Sequence, residues 1–309
     1  MLTDALVVLD GLTRRFGTLA AVDRLSLEVR EGELFGIVGP DGAGKTTTLR
    51  MLAGVLPPSA GEAHIAGVGV SRDPEGVKPF IAYMAQRFGL YEDLTVRENI
   101  DFYADLYRVP RRDRPARLER LYAFSNLGEF EHRLAGALSG GMKQKLALCC
   151  SLIHHPRLLL LDEPTFGVDP ISRRDLWLIL HEMVAEGVTI VVSTSYLDEA
   201  ERCDRVALLH QGRRLALDTP AALQGAMAGR LLAVDTADPR AARDQLRPHP
   251  LVQRAVLFGE LLHVLVAPGT QPSAIMALPG VRSVHPLDAS LEDVFIHLVA
   301  EAGTQELAV

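Results

Sequence analysis

The stretch "LFGIVGPDGAGKTTTLRML", residues 34–52, decides the fold of this chain. Residues 34–38 are an apolar run with the length of one buried strand, and a helix is expected to begin near Lys45. The turn between them has the spacing Gly39-x-x-x-x-Gly44-Lys45-Thr46, which is the phosphate-loop pattern. A glycine-rich turn without a ligand is the alternative, which the flanking strand and helix disfavour. The stretch therefore predicts a nucleotide site on an α/β fold.

The residue types of this loop suit phosphate binding. Glycines let backbone N–H groups converge on phosphate oxygens, and the helix amino terminus adds a positive partial charge. We expect Lys45 to neutralise the β- and γ-phosphates, the Thr46 hydroxyl to hold Mg²⁺ and Thr47 to add a phosphate contact. The residues expected to contact the nucleotide here are Gly39, Pro40, Asp41, Gly42, Ala43, Gly44, Lys45, Thr46 and Thr47.

Composition limits the classes of protein to consider. The chain has 309 residues, enough for one large domain and a small one, and its net charge of −7 disfavours nucleic acid as the main partner. Three cysteines without metal-type spacing suggest a reducing compartment. We find no secretory signal and no apolar run long enough to span a bilayer, so we expect at most a peripheral membrane protein.

The order of predicted elements divides the chain into two domains. Through residues 1–228, strand-like runs alternate with helical stretches, which predicts a largely parallel sheet covered by helices. The stretch "QGAMAGR", 224–230, is interpreted as a joint. Residues 229–309 predict the order βαββαβ of the ferredoxin-like split motif and then a last helix, an accessory α+β domain.

A second motif is "LLLLDE", residues 158–163, an apolar strand that ends in two carboxylates. Asp162 is expected to reach Mg²⁺ directly or through water. Glu163 is expected to act as a general base or to orient the attacking water. A core strand that ends in a solvated acidic turn is the alternative, which a phosphate loop in the same chain makes less attractive.

A third motif is "LSGGMKQKLALCC", residues 138–150. Ser139 is a good N-cap, and Gly140 and Gly141 leave the helix end free of side chains, so a second anion site is predicted. One nucleotide does not easily need both helix ends from the same chain. A plain capped helix is the alternative for this motif taken alone.

Along the chain the phosphate loop comes first, "LSGGMKQ" second and "LLLLDE" third. With the motifs in this order, residues 4–228 resemble a nucleotide-binding subunit of an ATP-binding cassette (ABC) transporter, with a helical subdomain at about 88–155. The resemblance implies ATP and Mg²⁺ as cofactors. It places Gln86 in the Q-loop that senses Mg²⁺, Phe16 against adenine and Asp169 in the D-loop. It also implies a head-to-tail dimer in which each ATP lies between one chain's phosphate loop and the other chain's signature helix.

The finer resemblance is to ABC-2-type exporters, including daunorubicin-resistance ATPases. The stretches "QRFGLYEDLTV" (86–96), "DEPTFGVDPISRR" (162–174) and "STSYLDEAE" (193–201) are most similar to the first cassette of a fused two-cassette enterobacterial multidrug efflux ATPase. The resemblance implies an ATPase that powers multidrug efflux with integral membrane permease subunits, at the cytoplasmic face of the bacterial inner membrane. A single cassette leaves homodimer and heterodimer both open.

Ser195 departs from the family pattern. It follows the strand-like run that begins at Thr189, at a position where the family usually has a histidine that contacts the γ-phosphate. A serine hydroxyl is shorter and carries no charge. The chain is therefore expected to have a weakened catalytic site, while contact with phosphate through a water would keep it active.

Other classes of function remain open. One is a soluble ABC ATPase of DNA repair or chromosome structure, which the absence of coiled-coil heptads disfavours. Another is an ABC protein of translation or cluster assembly that acts without a membrane. Residues 229–309 are expected to be either a regulatory ligand-binding module or a brace for a dimer.

Overall fold

A computed structural model describes residues 5–87 and 89–306. The chain divides after Asp218 into two compact units. The joint expected at 224–230 lies inside the second unit, because the helix Pro220–Gly225 packs against the last helix, Leu291–Glu306.

The first unit begins with long strands and continues with shorter strands and helices. Its strands are β1 (Ala5–Phe16), β2 (Leu19–Arg30), β3 (Leu34–Val38), β4 (Ala60–Ile65), β5 (Val68–Gly69), β6 (Ile81–Met84), β7 (Leu158–Asp162), β8 (Thr189–Thr194), β9 (Arg205–His210) and β10 (Arg213–Asp218). Its α-helices are α1 (Lys45–Leu52), α2 (Pro74–Val77), α3 (Val96–Leu106), α4 (Arg114–Ser125), α5 (Gly140–Leu152), α6 (Pro170–Ala185) and α7 (Leu197–Ala200). Short 3₁₀ turns cover Lys78–Phe80, Gly128–Phe130 and Ala135–Ala137.

One sheet of this unit has the strand order β10-β9-β3-β8-β7-β6, with every pair parallel except β9 and β10. Strand β8 lies between β3 and β7 although it follows both in the chain. Val38 is therefore paired with Thr194, and Asp162 with Ser193. The carboxyl ends of these three strands meet at one edge, where α/β proteins bind ligands.

A second sheet is antiparallel, so the expectation of a largely parallel first domain was incomplete. Its strand order is β2-β1-β4-β5. Buried and exposed residues alternate along the second half of β2, which is typical of an antiparallel strand with one solvent-exposed face. Helix α1 packs against strands of both sheets and shares their core through Leu49, Met51 and Leu52. That packing fixes the start of α1 at the edge where β3, β7 and β8 end.

In the sequence, helices α3, α4 and α5 come between β6 and β7, in the span expected to be helical. Thr95 and Glu98 form a reciprocal capping box at the start of α3. Asn99, which is fully buried, donates to the carbonyls of Tyr91, Leu94 and Thr95 and so holds the turn before the helix. None of the helices within the described residues is both long and apolar enough to cross a membrane.

The second unit has the element order βαββαβ after a first short helix and before a last long one. Its elements are α8 (Pro220–Gly225), β11 (Leu231–Thr236), α9 (Pro239–Leu246), β12 (Val252–Phe258), β13 (Leu261–Val266), α10 (Pro272–Met276), β14 (Val281–Pro286) and α11 (Leu291–Glu306). The antiparallel sheet has the order β12-β13-β11-β14, so β12 is an edge strand. Its role as an accessory ferredoxin-like domain stays a prediction.

Candidate functional site

The loop between β3 and α1 has a backbone that requires glycine. A Cβ on Gly39 would lie 2.3 Å from the Leu209 carbonyl oxygen, and a Cβ on Gly44 would lie 2.5 Å from that of Ala21. Gly44 also has a φ of 103°, which side chains with a Cβ rarely adopt. The tight turn is the reason that α1 begins at Lys45 with its amino terminus facing the loop.

Lys45 is the central cation of this site and is only 4% exposed. Its ammonium donates to the carbonyl oxygens of Gly39 at 2.8 Å and Pro40 at 3.1 Å. It also donates to the Ser195 hydroxyl at 2.8 Å and pairs with Glu163 Oε1 at 3.0 Å. A buried ammonium held inside a loop of backbone amides is suited to neutralise phosphate charge.

Asp162 ends β7 with its carboxylate buried at 1% exposure. It accepts hydrogen bonds from the hydroxyls of Thr46 and Ser193, each at 2.9 Å, and of Tyr83 at 3.3 Å. Burial, followed by the charge of Asp162, raises the pKa of Tyr83 to about 12, so Tyr83 stays a neutral donor.

Asp162 has no cationic partner of its own in the described part of the chain. A buried carboxylate is normally paired or bound to a metal. The oxygens of Asp162 and Thr46 are the hard ligands that Mg²⁺ takes together with nucleotide phosphates. The residues present therefore fit Mg²⁺. The described residues hold no group of three or more His, Cys, Asp or Glu side chains that would bind a metal alone.

Glu163 is the first residue after β7 and has a φ of 48°, a left-handed conformation that is uncommon outside glycine. Its N–H donates to the Ser193 hydroxyl at 3.0 Å, which holds the residue in this conformation. Its Oε2 accepts from Gln86 Nε2 at 3.2 Å. Backbone strain of this kind concentrates at functional sites, and here it turns the carboxylate toward the loop.

Ser195 lies one residue beyond β8 and contacts the same groups. Its hydroxyl accepts from Lys45 and donates to Glu163 Oε1 at 2.9 Å, with Asp41 Oδ1 further away at 3.4 Å. A hydroxyl has one proton to donate, and Glu163 is the nearer carboxylate. The structure therefore places Ser195 between the cation and the candidate base.

A cavity of about 820 Å³ connects the loop to the aromatic ring of Phe16. Phe16 is 48% exposed, and the Arg14 guanidinium lies 4.7 Å from the centre of its ring. The residues lining the cavity are Phe16, Leu19, Ala20, Ala21, Asp41, Gly42, Ala43, Gly44, Lys45, Thr46, Thr47, Gln86, Glu163, Phe166 and Gln211. This volume is in the range of small-molecule sites.

The helix end predicted as a second anion site is separate from this cavity. Ser139 caps α5 by accepting from the Met142 N–H at 3.3 Å, as its sequence position predicted. A Cβ built on Gly140 would meet no atom within 4 Å. Ser139, Gly140 and Gly141 are not among the described residues that line the cavity.

Gly141 is where α5 approaches α6. A Cβ there would lie 2.2 Å from the Ser172 hydroxyl oxygen, so the two helix starts pack closely. Asp169 caps α6 and accepts from the N–H groups of Ile171 and Ser172. The hydrogen bonds from Ser172 are the main reason that the pKa of Asp169 is lowered. Asp169 and the start of α5 therefore lie close together, since a Cβ on Gly141 would lie 3.7 Å from Asp169 Oδ2.

Hydrogen bonds and ion pairs join six of the residues selected from the sequence, namely Lys45, Thr46, Gln86, Asp162, Glu163 and Ser195. Gln86 contacts Glu163 rather than Asp162. Sequence reasoning missed Ser193 and Tyr83 as partners of Asp162. The polar end of the β8 sequence was the signal for Ser193, whereas no local pattern indicated that Tyr83 would reach Asp162.

A phosphate loop, a buried aspartate beside a threonine hydroxyl and a glutamate one residue further define the class of P-loop nucleotide hydrolases. The family model described as "ABC transporter" matches residues 22–166. A curated relative, the Nod factor export ATP-binding protein I of Paraburkholderia xenovorans, is 36% identical over 96% of this chain and 97% of its own length. The chain belongs to the ABC transporter ATP-binding family, a family of ATPases, which confirms the expected family.

Two further likenesses bear on function. The probable multidrug ABC transporter ATP-binding protein YbhF of Escherichia coli is 43% identical over 99% of this chain. The chain spans only 54% of that relative's length. A solved structure described as a dimeric post-hydrolysis state of the cassette MJ0796 bound to ADP and Pi covers 69% of this chain and 98% of its own, with 26% identity and a TM-score of 0.62. The cassette fold is thereby confirmed for the first unit.

Proposed function

We propose that this chain powers an ABC-2-type exporter, and that the exporter carries out multidrug efflux across a membrane. The name of the Nod factor export relative supports export as the direction, and the name of the multidrug transporter relative supports drugs as the cargo. The resemblance of the quoted stretches to ABC-2-type exporters supports this type of transporter. The chain acts as a peripheral subunit at the cytoplasmic face of the inner membrane, bound to integral permease subunits.

The observation that carries the ATP-hydrolysing part of this proposal is the meeting of Lys45, Asp162 and Glu163 at one sheet edge. Lys45 holds the phosphate charge. Thr46 and Asp162 would hold Mg²⁺, which neutralises phosphate charge when bound. Glu163 orients or deprotonates the attacking water, and Gln86 holds the Glu163 carboxylate from the side away from Lys45. Phe16 would stack on adenine at the far end of the cavity.

A head-to-tail dimer with a second cassette completes the site. The capped and open helix end at Ser139 to Gly141 attracts anions but does not line this chain's own nucleotide cavity. In the dimer this helix end and Asp169 face the nucleotide of the partner cassette. The similarity to the dimeric structure of the cassette MJ0796 bound to ADP and Pi supports such an arrangement.

The test is Glu163→Gln, which removes the base but keeps the shape. We expect the variant to bind ATP, to form a dimer with MgATP in light scattering, and to release phosphate at least about 100-fold more slowly. Glu129→Gln, an exposed position outside the cavity, is the matched control and should keep the parent rate. Parent-rate hydrolysis by Glu163→Gln would refute the catalytic role.

The membrane partner is tested by co-expression with a candidate ABC-2 permease. Stable co-purification in detergent, and ATPase activity that changes when the permease is present, are expected. A chain that hydrolyses ATP but never associates with the permease would instead favour an ABC ATPase without a membrane partner.

A second candidate is a weakened cassette that works beside a stronger one in a heterodimer. Ser195 favours it, because its hydroxyl is already engaged by Lys45 and Glu163 at the position where the family usually has a histidine. In such a pair, this chain's Ser139, Gly140 and Gly141 complete the partner's site. The weakened element and the intact signature then act on different ATP molecules.

A further inference from the structure

An open cleft of about 660 Å³ lies at the edge strand β12 of the second unit. Helix α9 and the turn after it supply arginines on one side, β12 forms the floor and α11 supplies the other side. The main lining side chains are Arg243, Arg247, Arg254, Val256, Leu257 and His297. The nucleotide cavity of the first unit shares none of these residues.

Two of the basic side chains in the cleft already have a carboxylate partner. Arg243 pairs with Asp244 at 2.7 Å, and His297 lies 3.3 Å from Glu301. Glu301 is the carboxylate among the described lining residues, and this contact with His297 occupies it. Neither contact involves the other two arginines that line the cleft, Arg247 and Arg254.

Arg247 and Arg254 have no carboxylate partner among the described residues. Arg254 is partly buried on β12 and donates to the carbonyl oxygen of Ile296 in α11. Burial and then the charge of Arg247 lower its pKa, although Asp293 acts in the opposite direction. Arg254 is partly buried whereas Arg247 is exposed, and an anion between two guanidinium groups that repel each other would stabilise both.

The cleft also offers apolar surface next to these charges. Val256 and Leu257 of β12 and Ala300 of α11 line it, and the volume is in the range of small-molecule sites. A bare inorganic ion would leave this surface unused. A ligand with one anionic head group and a short apolar part would contact both the arginines and the apolar surface.

We propose that the second unit binds a small organic anion, with a carboxylate or phosphate group held by Arg247 and Arg254 and a short apolar part against β12 and α11. This assigns a ligand site to a unit in which the sequence shows no nucleotide motif. The site stands independently of the export proposal, because it involves no residue of the nucleotide cavity.

The experiment is isothermal titration calorimetry of the full chain with hexyl phosphate, with ADP present at saturation so that the phosphate loop is filled. Arg247→Gln is the main variant, because this exposed side chain has no partner that a substitution would orphan. Arg254→Gln is the second variant. Arg282→Gln, on the opposite edge strand β14, is the matched control.

We expect one molecule of hexyl phosphate per chain, binding more tightly than inorganic phosphate. Arg247→Gln and Arg254→Gln each remove one charge-assisted hydrogen-bond donor, so each should weaken binding about tenfold or more. Arg282→Gln should bind like the parent. Absence of binding by the parent chain, or equal affinity in all four proteins, would overturn the proposal.

A lipid head group is one source of the same chemistry, and vesicles separate it from a free metabolite. Sedimentation with phosphatidylglycerol vesicles that Arg247→Gln reduces and Arg282→Gln does not would support the site with lipid as its ligand. Hexyl phosphate binding without Arg247-dependent sedimentation would support a soluble ligand. Vesicle binding that both substitutions reduce equally, with no Arg247-dependent hexyl phosphate binding, would show general surface charge and refute the site.

Discussion

Replacing Ser195 by histidine tests whether this cassette is catalytically weakened. Ser195 lies beyond β8 and within hydrogen-bond distance of both Lys45 and Glu163. An imidazole at this position extends further from the backbone than a hydroxyl and reaches into the space where the γ-phosphate is expected. Ser195→His should therefore supply a transition-state donor that the serine does not.

The size of the gain follows from two opposing terms. One well-placed transition-state donor is worth about 100- to 1,000-fold in rate, or roughly 3–4 kcal/mol. The substitution also removes the hydrogen bonds of the half-buried Ser195 hydroxyl to Lys45 and Glu163. This loss reduces the gain in transition-state stabilisation by about 1.5 kcal/mol. The net expectation for Ser195→His is a rise in turnover of roughly ten- to one hundredfold.

The assay is steady-state phosphate release by the purified chain at saturating MgATP, with ATP affinity measured separately. Ser195→Ala is the control that removes the hydroxyl without adding a donor, and it should show no gain. Ser195→His in the Glu163→Gln background should also show no gain, because the base is missing. Fast turnover of the parent chain without any increase in Ser195→His would refute the weakened site and favour a self-sufficient homodimer.

Three further outcomes test the rest of the molecule. Lys45→Ala should weaken ATP binding by about 100-fold or more, because the phosphates lose their closest cation; equilibrium binding of a fluorescent ATP analogue measures it. A chain that ends at Asp218 should still bind ATP in the same assay, and loss of binding by a folded truncation would show that the second unit helps to build the site. Burial raises the pKa of Asp293, but hydrogen bonds from His263 and Ser290 outweigh it and leave the pKa below 3.8. Asp293→Asn should thus lower the Tm of the second unit at neutral pH by roughly 4–8 °C for a destabilisation of about 1 kcal/mol. Because a lowered pKa stabilises only the ionised form, the difference should shrink as the pH falls below about 4, and calorimetry at several pH values checks it.

The second unit has a local cluster of arginines that the overall composition of the chain does not indicate. The whole chain is acidic, with a net charge of −7, yet three arginines line the cleft beside β12. Arg243 and Arg247 are one helical turn apart, so their proximity is visible in the sequence. Arg254 joins them only because β12 lies at the sheet edge next to α9.

The sequence by itself determined the parts of the site that depend on local geometry. The phosphate loop could be predicted because its strand, its glycine-rich turn with a left-handed Gly44 and the helix that begins at Lys45 follow one another directly in the chain. The strand that ends in Asp162 and Glu163 and the helix capped by Ser139 are equally local, since each depends on a few consecutive residues. Such patterns retain their meaning wherever the element lies in the fold.

The tertiary structure alone decided which of these elements meet. Strand β8 inserts between β3 and β7, and this order brings Ser193 to Asp162 and Ser195 to Lys45. Tyr83 reaches Asp162 because β6 pairs with β7 across a long stretch of intervening chain. The antiparallel sheet of β1 and β2 was also missed. Strand order depends on pairing between distant segments and on the burial of both faces of a sheet, and neither is encoded in the period of any single segment.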